Sequence, residues 1–212
     1  MNKVVFFKNA FTGGHYCFKT EKSKKPFTNP MTQCKSVKLN SDDIVADVGA
    51  YVGEYSIYAS KSAKKINSYE ATPGTFKVLS MNKKENMTIF NRAVVGDNRK
   101  SVNLFISKGV GVTNSIAKTD GKASYIQVPA IRYEDAIKKA SVVKIDVEGA
   151  EYGYNIIQPH LRAIILEFHP IVGKNWQKAA FEIMNKIEAS GFKPIMKPQF
   201  KHGWDISGSW VR

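Results

Sequence analysis

The chain has 212 residues, is 43% hydrophobic and carries a formal net charge of +14. Its length and apolar content are sufficient for one domain with a full core, and no apolar run is long enough to span a membrane. Because the apolar stretch at the start is too short for a secretory signal, we expect the protein to reside in the cytoplasm. Its two cysteines, Cys17 and Cys34, allow one disulfide but indicate neither a disulfide framework nor a zinc site, and we expect free thiols.

Residues 1–40 are strongly basic, with eight lysines against one acid, Glu21, and they hold half of the net charge. Apolar runs at 4–7 and 16–19 flank a Gly-Gly turn and predict a hairpin. We interpret residues 1–40 as a basic appendage and residues 41–212 as the main domain. A phosphate-rich partner could bind such a surface. A solvated lysine-rich face is the simpler interpretation, so we expect only weak, non-specific binding of nucleic acid.

From Ile44 onward the pattern alternates between strands and helices, which predicts an α/β fold with a mainly parallel, doubly wound sheet. Five strands are predicted, near residues 44–48, 66–70, 88–95, 142–147 and 163–168. Two β-like runs within residues 101–132 break the alternation and predict an inserted hairpin. A helix is predicted at 175–189, followed by two further β-like segments at 192–196 and 205–211. The apolar residues of that helix are predicted to face the core, and they are Trp176, Ala180, Phe181, Met184 and Ile187.

The first predicted strand of this domain leads into a loop with the pattern D-x-G-x-x-x-G, formed by Asp47, Gly49 and Gly53. Glycines allow a backbone to approach a ligand closely, and the start of the next helix attracts anionic or hydroxyl groups. The spacing does not fit the G-x-G-x-x-G dinucleotide motif. It does not fit a phosphate-binding P-loop either, because Glu54 follows Gly53. The pattern resembles the first motif of class I methyltransferases that use S-adenosylmethionine.

The second predicted strand of the domain ends in Glu70, about twenty residues further on. A doubly wound sheet usually places at this point the carboxylate that accepts the hydroxyl protons of a ribose. We therefore interpret Glu70 as the ribose ligand, although an acid at a strand end can also be simply solvated.

Five segments in order extend the resemblance. They are DVGAYVGEYS at 47–56, YEATPGTF at 69–76, NRAVVGD at 91–97, VKIDVEGAE at 143–151 and ILEFH at 165–169. Together they resemble the FkbM family of methyltransferases over residues from about 42 to 190. The resemblance implies a class I, Rossmann-like sheet of seven strands with the last antiparallel, and methylation of a hydroxyl oxygen, commonly on a sugar or a polyketide-like molecule. One departure is Tyr51, where the family usually has asparagine.

The resemblance also implies S-adenosyl-L-methionine as the cofactor. The methionine part is expected near the glycines, the ribose at Glu70 and the adenine beside the turn at 91–97. The residues expected to bind the cofactor are Asp47, Gly49, Ala50, Tyr51, Gly53, Ser56, Glu70, Ala71, Asn91, Ala93 and Asp146.

The acceptor is expected at the carboxyl ends of two later strands, where ligands of open α/β sheets bind. Asp146 and Glu148 follow one strand, while Glu167 and His169 end the next. We expect Asp146, Glu148 and His169 to be the catalytic residues, with His169 as the base that removes the hydroxyl proton. A divalent ion held by the same three residues, which would lower the pKa of the acceptor hydroxyl, is the alternative. Glu151 is interpreted as a helix-start acid that favours the helix dipole.

Other acceptor chemistries fit less well. The Asn/Asp-Pro-Pro-Tyr/Phe element that related enzymes use to methylate amino groups of bases is replaced by Asp146-Val-Glu-Gly149, and neither cysteine follows a proline, as carbon methylation of cytosine requires. The family resemblance implies a small-molecule or sugar hydroxyl as the expected acceptor. The alternatives are ribose 2′-O-methylation of RNA, favoured by the positive charge, and a non-catalytic module that only binds the cofactor.

Overall fold

The computed structural model describes residues 5–8, 15–18, 35–106, 114–117, 124–171, 175–201 and 205–212. In chain order its strands are β1 Val5–Lys8, β2 His15–Phe18, β3 Ile44–Val48, β4 Lys65–Tyr69, β5 Met87–Phe90, β6 Ala93–Val95, β7 Ser101–Ile106, β8 Ser124–Arg132, β9 Val142–Ile145, β10 Ala163–Phe168, β11 Lys193–Lys201 and β12 Asp205–Val211. Its helices are α1 Glu54–Ala59, α2 Pro73–Asn82, α3 Tyr133–Ile137 and α4 Trp176–Ala189, with a 3₁₀ turn at Glu151–Gly153.

The central sheet has seven strands in the order β11-β12-β10-β9-β3-β4-β5. Five neighbouring strands, β10, β9, β3, β4 and β5, are parallel to one another, and β12 is antiparallel to β10. The middle strands read as apolar runs because helices cover both faces of such a sheet; all four residues of β9 are buried. The predicted doubly wound sheet of seven strands, with the last antiparallel, is confirmed.

A smaller sheet has the order β6-β8-β7. Strands β7 and β8 pair antiparallel, as expected for the inserted hairpin. The single strand predicted at 88–95 is wrong, because β5 belongs to the central sheet while β6 pairs with β8. The side chain of Asn91 donates hydrogen bonds to the backbone oxygens of Glu70 and Ala71, at 2.8 and 3.1 Å. The chain passes from the central sheet to the smaller sheet between β5 and β6. The two Asn91 bonds attach this connection to the backbone that follows β4.

The N-terminal hairpin is confirmed in outline, since β1 and β2 pair antiparallel with Phe6 opposite Cys17. Cys34 lies outside the described residues, so the state of the two thiols stays a prediction. Closer to the sheet, Val37 is fully buried in the core, and the hydroxyls of Ser36 and Ser209 are hydrogen bonded at 2.6 Å. These contacts join the segment before β3 to the central sheet.

Helix α4 packs on the core through Trp176, Ala180, Met184 and Ile187, which are all buried. Phe181 was predicted to be buried as well, and this is wrong, because 45% of its surface is exposed. The buried residues recur at intervals of three or four along one stripe of the helix, and Phe181 lies about 100° away from Ala180. Among the helices of the described residues, none is both long and apolar enough to cross a membrane.

Candidate active site

The loop after β3, residues 49–53, is called the glycine loop below. A Cβ on Gly49 would lie 1.7 Å from the backbone oxygen of Asp146, and a Cβ on Gly53 would lie 2.7 Å from Leu79 Cδ1. Both glycines have positive φ, 81° and 94°. The sequence suggested that these glycines make room for a ligand. The structure shows that Gly49 makes room for the backbone at the end of β9, which brings the loops after β3 and β9 into contact.

Hydrogen bonds within the protein hold the glycine loop in place. The N–H groups of Gly49 and Ala50 both donate to the backbone oxygen of Tyr69, at 3.0 and 2.9 Å. The N–H of Tyr51 donates to Glu70 Oε2 at 3.0 Å. Tyr51 has a φ of 51°, in the left-handed region that asparagine adopts more readily than tyrosine. This conformation is compatible with the asparagine that the family resemblance implies at this position.

Asp47 and Ser56 lie beneath the glycine loop and are both fully buried. The Ser56 hydroxyl donates to Asp47 Oδ2 at 2.5 Å. Burial raises the pKa of Asp47, while the nearby Lys144 ammonium and the Ser56 hydrogen bond lower it. Asp47 Oδ1 is buried without a hydrogen-bond partner. The position of both residues is suited to supporting the loop from below.

Glu70 joins the ends of β3 and β4. Its carboxylate accepts hydrogen bonds from the N–H groups of Tyr51, at 3.0 Å, and Thr72, at 2.7 Å. Burial raises the pKa of Glu70 to about 7, although these hydrogen bonds oppose the shift. Each oxygen can accept a further hydrogen bond. Ala71 follows directly and is half-buried, whereas Ala93 is buried within β6.

Lys144 is a residue of this site that the sequence interpretation missed. Its Nζ lies 3.1 Å from Asp146 Oδ2 and 3.7 Å from Asp47 Oδ1, and it donates to the backbone oxygen of Gly49 at 3.3 Å. The ammonium is thus buried between the glycine loop and β9. A lysine inside the otherwise apolar strand VVKI was the available signal, because an ammonium is seldom buried unless it is paired.

Glu54 is a second missed residue. It opens α1 directly after the glycine loop. Burial raises the pKa of Glu54 to about 7; Lys144 lowers it, while Asp146 and Asp47 raise it further. The ends of β3 and β9 therefore carry three carboxyl groups around one ammonium.

Four side chains meet at the ends of β9 and β10. His169 Nε2 lies 3.7 Å from Asp146 Oδ1, 3.6 Å from Glu148 Oε1 and 3.8 Å from Glu167 Oε1. Asp146, Glu148, Glu167 and His169 are called the carboxylate–imidazole cluster below. The expected convergence at one edge of the sheet is confirmed. Asp146 and Glu148 keep 31% and 27% of their side-chain surface exposed, so the cluster is accessible from solvent.

Glu151 holds His169 in place from behind. Its Oε1 accepts a hydrogen bond from the backbone N–H of His169 at 2.7 Å and lies 3.6 Å from Nδ1 of the ring. Its Oε2 accepts from the N–H of Gly149 at 2.8 Å. The interpretation of Glu151 as a helix-start acid is wrong, because the carboxylate is fully buried and the element that it begins is a 3₁₀ turn of three residues. Its two hydrogen bonds join the loops after β9 and β10.

The charge of the cluster follows from these contacts. Burial alone would lower the pKa of His169, but Glu151, Asp146 and Glu148 together raise it to about 10. The surrounding carboxylates therefore favour the protonated form of the imidazole. Glu148 has a φ of 53°, and among the described residues only Tyr51 shares such a positive φ without being glycine. Sparsely populated backbone conformations of this kind concentrate at functional sites.

Solved structures with a similar fold include the methyltransferase FkbM from Methylobacillus flagellatus KT, with a TM-score of 0.55 and 11% identity over 82% of this chain and 45% of that chain. An rRNA methylase from Streptococcus thermophilus has a TM-score of 0.54 and 10% identity over 89% of this chain and 99% of that chain. P. horikoshii TYW2, solved in complex with MeSAdo, has a TM-score of 0.50 and 14% identity over 100% and 72%. This chain thus covers less than half of the FkbM structure. No curated protein matches the sequence.

The sheet order and these likenesses define the fold of a class I methyltransferase. The sequence then defines the family, because the profile of the Methyltransferase FkbM domain matches residues 47–206. The chain belongs to the FkbM family of methyltransferases.

Proposed function

We propose that the protein transfers a methyl group from S-adenosylmethionine to a hydroxyl oxygen of a small molecule or a carbohydrate. The observation that carries this proposal is the carboxylate–imidazole cluster, which lies beside the glycine loop at the same edge of the sheet. An alcohol must lose a proton when it is methylated, and the cluster provides groups that can accept one.

The residues around the glycine loop fit the cofactor. S-adenosylmethionine carries a sulfonium and an ammonium, and Asp47, Glu54, Glu70 and Asp146 give this part of the site an acidic character. Asp47 Oδ1 is a buried acceptor without a hydrogen-bond partner, and it lies 3.7 Å from the Lys144 ammonium. We assign the methionine part to the backbone of Gly49, Ala50, Tyr51 and Gly53, with Asp47 and Ser56 as supporting residues. We assign the ribose to Glu70 and Ala71, and the adenine to the segment of Asn91 and Ala93.

The cofactor supplies an activated methyl group, so the protein has to orient the acceptor and remove its proton. We assign the proton transfer to His169, with Asp146, Glu148 and Glu167 stabilising the imidazolium that results. Because the pKa of His169 is raised to about 10 in the free protein, the ring must first lose a proton. Turnover should therefore rise with pH. Glu151 fixes the ring orientation through the backbone N–H of His169.

The charge of the cluster supports a neutral acceptor over a nucleic acid. Three carboxylates lie within 3.8 Å of His169 Nε2. A phosphate brought near them would be repelled. The net charge of +14 favours RNA as a second candidate, but eight of the lysines lie in residues 1–40, before the matched domain.

The direct test supplies methyl-labelled S-adenosylmethionine together with a panel of sugars and small alcohols. We expect transfer to a hydroxyl of at least one compound, with the product identified as a methyl ether by mass spectrometry. A protein that binds S-adenosylhomocysteine yet methylates nothing in a broad panel would instead be a non-catalytic module.

The second test separates hydroxyl acceptors of small molecules from RNA. Contacts with phosphates release counterions, so binding that uses the lysines of residues 1–40 should weaken steeply with salt. We expect only weak, non-specific binding of RNA or DNA. Selective binding near physiological salt, followed by ribose methylation, would contradict the proposed acceptor class.

A further inference from the structure

We propose that Asp146, Glu148 and His169 bind one divalent metal ion of the Mn²⁺ class and leave a coordination position open for an acceptor oxygen. The binding itself does not depend on methyl transfer, whereas the role of the open position rests on the proposed function. Each of the three residues offers one ligand atom, and these atoms lie within 4.8 Å of one another.

The spacing is that of a coordination shell rather than of direct hydrogen bonds. The separations of 3.6 and 3.7 Å between His169 Nε2 and the oxygens of Glu148 and Asp146 are too long for hydrogen bonds. An ion bound at about 2.1 Å has adjacent ligands about 3 Å apart and opposite ligands about 4.2 Å apart. Inward movement of the side chains by a few tenths of an ångström, on the order of thermal motion, would complete such a shell.

The setting of His169 within this set also fits a metal ligand. The residue is 9% exposed, and its Nδ1 is buried without a hydrogen-bond partner. Its Nε2 points toward Asp146, Glu148 and Glu167, with every separation beyond hydrogen-bond length. A buried imidazole normally makes hydrogen bonds or binds a metal. The backbone of His169 is held by Glu151, so the ring is anchored for a ligand in front of it.

The charges and exposures fit a cation. Glu151 and Glu167 add two carboxylates next to the three proposed ligands, and the Lys144 ammonium lies 3.1 Å from Asp146 on one side of this set. Asp146 and Glu148 are partly exposed, which gives an ion a path of entry and leaves room for a further ligand. One imidazole and two carboxylates form a mixed nitrogen and oxygen set, which suits first-row divalent ions such as Mn²⁺.

The ion would alter how the site treats a hydroxyl group. A bound divalent cation holds the acceptor oxygen and lowers the pKa of its hydroxyl. A proton and a metal ion compete for the imidazole, because a ligating histidine is neutral. The metal-free cluster can thus offer His169 as a base, while the metal-bound cluster uses His169 as a ligand.

The test titrates Mn²⁺ into the full chain after treatment with a chelator, and follows free Mn²⁺ by electron paramagnetic resonance. We expect one tightly bound Mn²⁺ per chain and a loss of affinity of at least about tenfold in Glu148→Gln. The matched control is Glu85→Gln, which removes an exposed carboxylate before β5 and should bind Mn²⁺ as the wild type does. Thermal unfolding checks that both variants are folded.

A measurement on the wild type alone covers the case in which Glu148→Gln does not fold. Bound Mn²⁺ with an open position should enhance the relaxation of water protons, and no enhancement would overturn the open position. No stoichiometric binding, or equal affinity in Glu148→Gln and Glu85→Gln, would overturn the site. Calorimetry with S-adenosylhomocysteine on the same sample separates the two proposals. If the protein binds S-adenosylhomocysteine but not Mn²⁺, the metal site is rejected and the proposed methyltransferase function stands.

Discussion

The two halves of the candidate site are built in different ways. Around the glycine loop, four backbone N–H groups from Gly49, Ala50, Tyr51 and Thr72 donate to Tyr69 or Glu70. In the carboxylate–imidazole cluster, the side chains approach one another at 3.6 to 3.8 Å without a direct hydrogen bond to Nε2 of His169. The backbone framework of the first kind suits the constant cofactor of the proposed function, because its groups are already held in place. The side chains of the second kind are proposed to interact with a proton or a metal ion.

The largest expected effect concerns the cluster. His169→Ala should lower turnover by about 10²- to 10⁴-fold, because it removes the group assigned to the proton or to the metal ion. The affinity for S-adenosylhomocysteine, measured by calorimetry, should stay nearly unchanged, because the glycine loop is intact. His160→Ala, an exposed histidine outside the cluster, is the control. Near wild-type turnover in His169→Ala would show that the carboxylate–imidazole cluster does not act in the chemical step.

Lys144 connects the halves, and its loss should affect stability. Lys144→Met leaves Asp47 and Asp146 without their ammonium, and breaking a buried pair costs roughly 3 kcal/mol or more. Denaturant unfolding of Lys144→Met should therefore show a large loss, whereas Lys139→Met, at an exposed position, should change stability by less than about 0.5 kcal/mol. Equal stability of the two variants would show that the ammonium does not hold the loops together.

The third prediction tests the cofactor half. Glu70→Ala should weaken binding of S-adenosylhomocysteine by about 1 to 3 kcal/mol, because the ribose hydroxyls lose their acceptor. Unchanged affinity in the folded variant would exclude Glu70 from the site.

The same carboxylate predicts a pH dependence. The pKa of Glu70 is raised to about 7 in the free protein, and hydroxyl donors favour the ionised form. Affinity for S-adenosylhomocysteine should thus increase as the pH rises toward 7 and level off above it, and Glu70→Gln should flatten this part of the profile. Folding stability should change with pH in the opposite direction. The raised pKa of Glu70 stabilises the folded protein below a pH of about 4.5, and this contribution is lost as the pH rises through about 7.

The smallest expected effect comes from the backbone of Tyr51. At a φ of 51°, asparagine is tolerated and a β-branched residue is not. Tyr51→Val should be less stable than Tyr51→Asn by about 1 to 2 kcal/mol in denaturant unfolding. Both variants lose the ring, so the difference isolates the backbone conformation. Equal stabilities would show that the loop relaxes.

The patterns in the sequence predicted the α/β class, the inserted hairpin and the convergence of Asp146, Glu148, Glu167 and His169, whereas the number of strands in the sheet came from the family resemblance. These features depend on local patterns: buried strands read as apolar runs, and acids at the ends of parallel strands must lie at one edge of the sheet. The placement of Glu70 after β4 followed from the same reasoning.

The tertiary structure decided what depends on contacts between distant segments. It showed that Gly49 lacks a Cβ where the backbone of Asp146 approaches and that Lys144 is buried between the glycine loop and β9. It also showed that the Glu151 carboxylate accepts a hydrogen bond from the backbone N–H of His169. In the structure, the segment predicted as one strand at 88–95 belongs to two different sheets, and Phe181 is exposed. Such features depend on which side chain meets which neighbour across the sheet. The identity of those neighbours is not encoded in local periodicity, because each pair is joined only when the chain has folded.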